Sequence, residues 1–335
     1  VTKPSVYAPS IPTSTKSCYN AAVTNLLEVH ELTKEYGGAR PLRAVDKVSF
    51  NLGAGEILGI LGPNGAGKTT TIRMLISVLR PTSGTIRFFG KELQSHRSEV
   101  LQEVAFASTY TNLPLFLSVA ENLDIHGRLY GMSKSDRMAR ADELLSYFGV
   151  RDLRRQRISQ LSAGQKTRVM LTKAFLPRPR VALLDEPTAS LDPDIAHEVR
   201  NFVRRERSER GTAVLFSSHN MQEVADICDR VLFLKAGKVL AIGTPAELAA
   251  DSSKTLVALG GVEERERALA ILGAKGITVR EEGSSLLLQV TEQALAPLLI
   301  ELARAGVNFA ELHLSKPTLE DYFLKHSRLT DREGV

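Results

Sequence analysis

Cysteine is nearly absent from this chain of 335 residues: Cys18 and Cys228 are the two it has. Two are too few for a disulfide framework, and they lack the paired spacing of a metal site. A reducing compartment suits such usage. No apolar run approaches the roughly 20 residues that span a bilayer. The start shows no basic segment followed by an apolar one, so no secretory signal is expected. Neither sign of charge dominates, since 43 Lys and Arg against 38 Asp and Glu leave a net +5. The basic excess gathers at Arg151, Arg154, Arg155 and Arg157, at Arg178 and Arg180, and at Arg204, Arg205 and Arg207. Such clusters can face nucleic acid or an anionic membrane, but the acids interspersed in the last one favour ordinary solvated faces. With 43% apolar and 24% charged residues, the chain can build one large domain and a smaller one, each with its own core.

What is present begins with Gly62-Pro63-Asn64-Gly65-Ala66-Gly67-Lys68-Thr69-Thr70, the spacing of a phosphate-binding P-loop. An apolar strand, Glu56 to Leu61, runs into it, and a helical pattern, Thr71 to Leu75, leaves it. Glycines let the backbone curl with its N–H groups inward, at the positive end of the following helix. Lys68 is placed to reach the β- and γ-phosphates of a nucleotide, Thr69 to ligate Mg²⁺ and Thr70 to bond the α-phosphate.

Before the loop, residues 1 to about 25 are rich in Ser, Thr and Pro, and a disordered or loosely attached tail is expected. Strands are expected over Leu27 to Leu32 and Val45 to Leu52, with Tyr36 in the connection between them. After the loop come strands over Thr85 to Phe89 and Val104 to Ala107, then helices from Val119 to about Phe148, broken at Gly131-Met132-Ser133. Leu161-Ser162-Ala163-Gly164-Gln165 precedes a helical run from Lys166 to Leu176. A Ser-x-Gly helix entry offers a hydroxyl and unpaired N–H groups, which by itself is a capping signal.

Val181 to Glu186 reads as a buried parallel strand ending in two carboxylates. In an open α/β sheet such strand ends face the ligand crevice, so Asp185 suits Mg²⁺ and Glu186 suits the attacking water. Asp192 is an N-cap candidate for the next helix. Val214 to His219 is a further buried strand, whose histidine could meet the γ-phosphate or be structural. Strands over Val231 to Leu234 and Val239 to Ile242 and a helix over Pro245 to Ala250 close this part. From Thr255 the composition shifts to short strands and two apolar helices in the order βαββαβ, which suggests a ferredoxin-like domain, followed by a last helix over Pro317 to Leu324. One phosphate loop and one Leu-Ser-Ala-Gly-Gln argue against an internal repeat.

Together these residues resemble the nucleotide-binding ATPase subunit of an ABC transporter, over roughly residues 26–250. Gly62 to Thr70 resembles Walker A, Val181 to Glu186 Walker B, and Leu161 to Gln165 the signature, with Ala163 where glycine is usual. Ser190 to Asp192 falls on the D-loop, His219 on the switch histidine, and Tyr36 on the aromatic that stacks on adenine. The resemblance implies an α/β P-loop fold with an antiparallel β subdomain and a helical subdomain, plus the small α+β domain at 255–335. It implies two ATP and Mg²⁺ held between one subunit's P-loop and the other's Ser162, Gly164, Gln165 and Asp192, in a homodimer or heterodimer. Lys68, Glu186 and His219 take the catalytic roles. The C-terminal Pro317-Thr318-Leu319-Glu320-Asp321-Tyr322-Phe323 is similar to the tails of ABC-2 type exporter ATPases. An ABC-2 type transmembrane permease is therefore the expected partner, with the chain peripheral on the cytoplasmic face. Nucleic acid is not expected as a partner. The rivals are a soluble ABC ATPase acting on nucleic acid or the ribosome, and a weakly hydrolysing regulator. The family usually has glutamine in the loop before Glu121-Asn122-Leu123, where this chain has Thr109, flanked by Ser108 and Tyr110, with Gln102 the nearest glutamine.

Overall fold

The structure, a computed structural model, describes residues 25–38, 41–108, 113–189, 191–250, 255–315 and 318–323. The tail at 1–24, Thr109, Tyr110, Ser190, Pro317 and Leu324 lie outside the described residues. In chain order come β1 (Asn25–Tyr36), β2 (Leu42–Gly53), β3 (Ile57–Leu61) and α1 (Lys68–Leu75). β4 (Ser83–Phe88), β5 (Lys91–Glu92), α2 (Arg97–Leu101) and β6 (Val104–Ser108) follow. Next are α3 (Val119–Leu129), α4 (Lys134–Tyr147), α5 (Ala163–Phe175), β7 (Val181–Asp185) and α6 (Pro193–Arg210). β8 (Ala213–Ser217), α7 (Met221–Ile227), β9 (Arg230–Lys235), β10 (Lys238–Gly243) and α8 (Pro245–Ala250) complete the first part. The second part holds β11 (Thr255–Gly260), α9 (Arg265–Ala274), β12 (Val279–Glu282), β13 (Ser285–Val290), α10 (Glu292–Arg304) and β14 (Glu311–Ser315).

Period-two alternation explains how one central sheet serves two cores. Its order is β10-β9-β3-β8-β7-β6, and every pairing but β10 with β9 is parallel. Val181 and Leu183 of β7 face one side, with Leu58, Ile60 and α1, against the antiparallel sheet β2-β1-β4-β5. Ala182 and Leu184 face the other, with α3, α4 and α5. Both faces being covered, β3, β7 and β8 are buried at every position, which is why each reads as a continuous apolar run.

Several sequence expectations shift at their edges. Tyr36 is the last residue of β1, paired with Leu42 of β2, and does not sit in the connection between them. α5 begins at Ala163, three residues before the apolar run, because Ser162 and Gln165 close a reciprocal cap around its first turn. β8 ends at Ser217, which leaves His219 beyond the strand. The break at 131–133 is as expected, with Ser133 capping α4.

The second part is a separate antiparallel sheet ordered β12-β13-β11-β14, with α9 and α10 packed on one face. Counted within this unit the order is 2-3-1-4, that of a ferredoxin-like βαββαβ unit. After β14 the chain returns to the first part. A short helix over 319–323 buries Leu319 and Tyr322 in the core beneath β9, where Tyr322 and Phe323 meet the Phe233 ring at 5.9 and 5.6 Å between centroids.

Candidate nucleotide-binding site

Gly62 and Gly67 leave no room for a side chain. A Cβ on Gly62 would stand 2.3 Å from the Leu234 carbonyl oxygen, and one on Gly67 2.6 Å from that of Ala44. Gly67 also has φ 101°, a conformation open to glycine, and from it α1 springs with the Thr71 amide donating to the Gly67 carbonyl at 2.8 Å. The curl bounds a cavity of about 330 Å³, lined by Pro63 to Thr70 together with Tyr36, Ala44 and Glu186. This brings the candidate adenine-stacking ring, 40% exposed, to the same cavity as the phosphate loop. Lys68 is folded into the loop, its ammonium donating to the Gly62 and Pro63 carbonyls. Burial lowers its pKa, while the charges of Glu186 and Asp185 oppose that shift. An ammonium parked on carbonyls beside inward N–H groups is a ready partner for phosphate oxygens.

The carboxylates stand where the parallel strands end. Register sets Asp185 of β7 opposite Ser217 of β8. Asp185, 1% exposed, accepts from the Ser217 hydroxyl at 2.7 Å on Oδ1 and from the Thr69 hydroxyl at 3.3 Å on Oδ2. The Thr69 and Asp185 oxygens are hard donors of the kind Mg²⁺ takes. Among the described residues no group of three or more His, Cys, Asp or Glu could hold a metal alone. A cation here therefore needs phosphate oxygens and water to fill its shell, the usual arrangement for Mg²⁺ on a nucleotide.

Glu186 follows with φ 53°, unusual for a residue with a side chain. Its amide donates to both the Ser217 hydroxyl, at 3.0 Å, and the Ser217 carbonyl, at 3.2 Å. The turn aims its carboxylate at His219, whose Nδ1 lies 2.7 Å from Glu186 Oε2. With the proton on Nδ1 the ring donates to that carboxylate. The histidine is otherwise open, with 68% of its side chain exposed.

Behind this pair lies a second cavity of about 530 Å³, between the start of α6 and the loop before α7. Its polar centre is Glu223, which accepts from Thr188 Oγ1 at 2.9 Å, Ser218 Oγ at 2.7 Å and Arg200 Nη1 at 3.3 Å. Glu223 thus ties the segment after Glu186 to the segment holding His219. Sequence reasoning passed over both Glu223 and Ser217. The one local hint was the Ser217-Ser218 pair before His219.

Ser162, Gly164 and Gln165 do not line the phosphate-loop cavity. They sit at the exposed or half-exposed N-terminus of α5, where a Cβ on Gly164 would be 3.8 Å from both Leu191 and Ile195. Asp192 lies on that same side at the N-cap of α6, with Pro193 next, yet its carboxylate takes none of the helix's N–H groups. Ser162, Gly164 and Gln165 thus stand apart from the residues that line the phosphate-loop cavity, while Asp192 lies between Leu191 and Pro193, which line the second cavity together with Glu186 and His219.

Residues 45–189 match the family model described as ABC transporter. The chain is 34% identical over 312 residues to the daunorubicin/doxorubicin resistance ATP-binding protein DrrA of Streptomyces peucetius, covering 91% of this chain and 93% of that one. It is 34% identical over 315 residues to the Nod factor export ATP-binding protein I of Rhizobium meliloti (strain 1021), covering 93% and 90%. Among solved structures, a dimeric ATP-binding cassette in a post-hydrolysis state with ADP and Pi shares 25% identity at a TM-score of 0.60, over 65% of this chain and 98% of that one.

Proposed function

The chain belongs to the ABC transporter family, as an ATP-binding, ATP-hydrolysing subunit that powers transport, and from that premise we propose how its residues share the work. Lys68 and the N–H groups from Gly62 to Thr70 hold the phosphates, and Tyr36 stacks on adenine. Thr69 and Asp185 are the protein ligands of Mg²⁺, which when bound neutralises charge between the phosphates. Glu186 orients or deprotonates the attacking water, and His219 steadies that carboxylate and meets the γ-phosphate. Ser162, Gly164, Gln165 and Asp192 serve the phosphate loop of a second copy, so that two copies close head to tail on two ATP.

The observation that carries this reading is the 2.7 Å contact between His219 and Glu186, whose side chain lines the phosphate-loop cavity. The exposed N-terminus of α5, apart from that cavity, supports completion in trans.

We further propose residues 26–250 as the nucleotide-binding domain and 255–335 as an accessory domain. The membrane partner is an ABC-2 type permease, the direction is export, and the chain works on the cytoplasmic face. The named relatives support this, being ATP-binding proteins of drug resistance and of Nod factor export. Among the described residues no helix is long and apolar enough to cross a membrane. A separate subunit therefore suits the task. An apolar groove of about 430 Å³ between α3 and α4, with Ile125 and Met138 half exposed, offers that subunit a seat.

The test is Glu186→Gln. ATP affinity should hold, turnover should fall by orders of magnitude, and a stable dimer should appear with ATP in light scattering. Unimpaired hydrolysis would remove Glu186 from its role, and a strict monomer under all conditions would remove the shared site.

A further inference from the structure

We propose that Ser217 is a positioning residue for hydrolysis, its hydroxyl fixing both the Mg²⁺-side carboxylate of Asp185 and the backbone turn that aims Glu186. This rests on the roles proposed above for Asp185 and Glu186.

One serine can hold two partners at once. Its hydroxyl has a single proton to donate and lone pairs to accept with. Ser217 Oγ gives the proton to Asp185 Oδ1 at 2.7 Å and accepts the Glu186 amide at 3.0 Å. The residue is wholly buried, so water cannot stand in at either contact without a rearrangement.

The first contact decides an angle. A carboxylate's terminal torsion is broad and roughly two-fold, so the backbone of Asp185 does not by itself settle which way the group faces. With Oδ1 held by Ser217, Oδ2 is the oxygen turned to Thr69, 3.3 Å away. That is the oxygen and the hydroxyl between which a cation would be shared.

The second contact decides a turn. Glu186 holds φ 53°, which a residue with a side chain keeps only where its surroundings enforce it. The enforcing partners are the hydroxyl and the carbonyl of Ser217, both accepting from one amide. The carbonyl would survive a change of side chain, but the hydroxyl would not. Relaxation of the turn would swing the Glu186 carboxylate away from His219. The same atom thus sets the metal side and the water side of the site, which a serine placed only for packing would not do.

The experiment uses the full chain with Ser217→Ala, Ser217→Thr and Glu186→Gln. Its readouts are kcat, KM for ATP, and the Mg²⁺ dependence of binding a fluorescent ATP analogue. Ser217→Ala is expected to lower kcat tenfold or more while KM moves less than threefold. Analogue binding in EDTA should be unchanged, and the Mg²⁺ needed for tight binding should rise threefold or more. Ser217→Thr keeps the hydroxyl on a β-branched residue suited to a strand, and should recover most of both losses. Wild-type kcat and Mg²⁺ dependence in Ser217→Ala would overturn the proposal. So would an equal loss of binding with and without Mg²⁺, since that marks general damage. Should threonine be too large, shown by a lowered melting temperature, Ser217→Cys replaces it; failure of that variant to recover either loss counts against the proposal. Glu186→Gln separates the two readings. If it hydrolyses ATP normally, the role of Glu186 fails, while the Mg²⁺ shift in Ser217→Ala still judges Ser217 through Asp185.

Discussion

His126 shows what a single half-buried titratable group does to this molecule. It lies on α3 with its ring 4.8 Å from that of Tyr130, and its Nε2 has no hydrogen-bond partner among the described residues. Burial, helped by the nearby charge of Lys173, lowers its pKa from 6.5 to about 4. The folded state therefore prefers the neutral ring. In the unfolded chain the histidine takes a proton as pH falls below about 6.5, and the folded chain resists until about 4. Its stability is complete above the upper value and is lost on the way down to the lower. Between pH 7.5 and pH 5 the expected loss from this residue is about 1 to 2 kcal/mol. Urea unfolding of wild type and His126→Gln at both pH values checks it, and equal drops in the two proteins would clear His126 of the effect. The proposed site residues Lys68, Thr69, Asp185, Glu186 and His219 stand out in the sequence by their spacing. Ser217 and Glu223 were not readable, because their partners lie across a strand register or between two loops. Ser217 bonds Asp185 over a separation of 32 residues, which no local pattern reveals.

Among elements, the least ordinary contact joins α4 to α6. Arg140 is fully buried and its guanidinium lies 2.9 Å from the Glu206 carboxylate, itself 1% exposed. The same guanidinium reaches Glu143 at 2.7 Å and the Phe175 carbonyl at 3.5 Å, and the rings of Phe148, Phe175 and Phe202 close on one another in the same core. An isolated buried pair is costly to break because the remaining charge is stranded, but here Glu206 also lies 3.2 Å from Arg210 Nε and 3.9 Å from Arg205 Nη2, and Arg140 keeps Glu143. Arg140→Met or Glu206→Leu alone should therefore cost less than the roughly 3 to 5 kcal/mol of an isolated buried pair, and the double replacement less than the sum of the two. Denaturant midpoints of the four proteins measure the coupling; additive losses would show that the two charges are not mutually dependent. The elements themselves were largely legible. Glycine and serine marked the break at 131–133, and uniform apolar runs marked the central strands. Edges were less so, since β1 and β2 extend as far as their mutual pairing allows and not as far as their alternation does.

The whole molecule is two units held by more than a linker. The accessory unit has its own core, with Val257, Leu272, Leu288 and Leu302 fully buried in it. The helix over 319–323 belongs by packing to the other unit, where Leu319 and Tyr322 are 3% and 6% exposed against the core beneath β9. Phe233, on which Tyr322 and Phe323 rest, is paired in register with Leu61, the residue before the phosphate loop. Since every proposed phosphate-binding residue precedes Pro245, the second part is expected to be separable from nucleotide binding, yet its last helix packs on the strand beside the one that leads into the phosphate loop. Two substitutions in the full chain tell these apart. Leu288→Ala removes buried volume from the accessory core and should cost about 2 to 5 kcal/mol there, with ATP affinity unchanged. Tyr322→Ala should cost about 3 kcal/mol in the nucleotide-binding unit, because it uncovers Phe233. Differential scanning calorimetry with and without ATP reads both, since ATP raises only the transition of the unit that binds it. The expected result is that Leu288→Ala lowers the transition ATP does not raise, and Tyr322→Ala the one that it does. If Tyr322→Ala leaves the ATP-sensitive transition where it was, the helix over 319–323 is a passenger on β9, and the accessory unit is joined by chain alone.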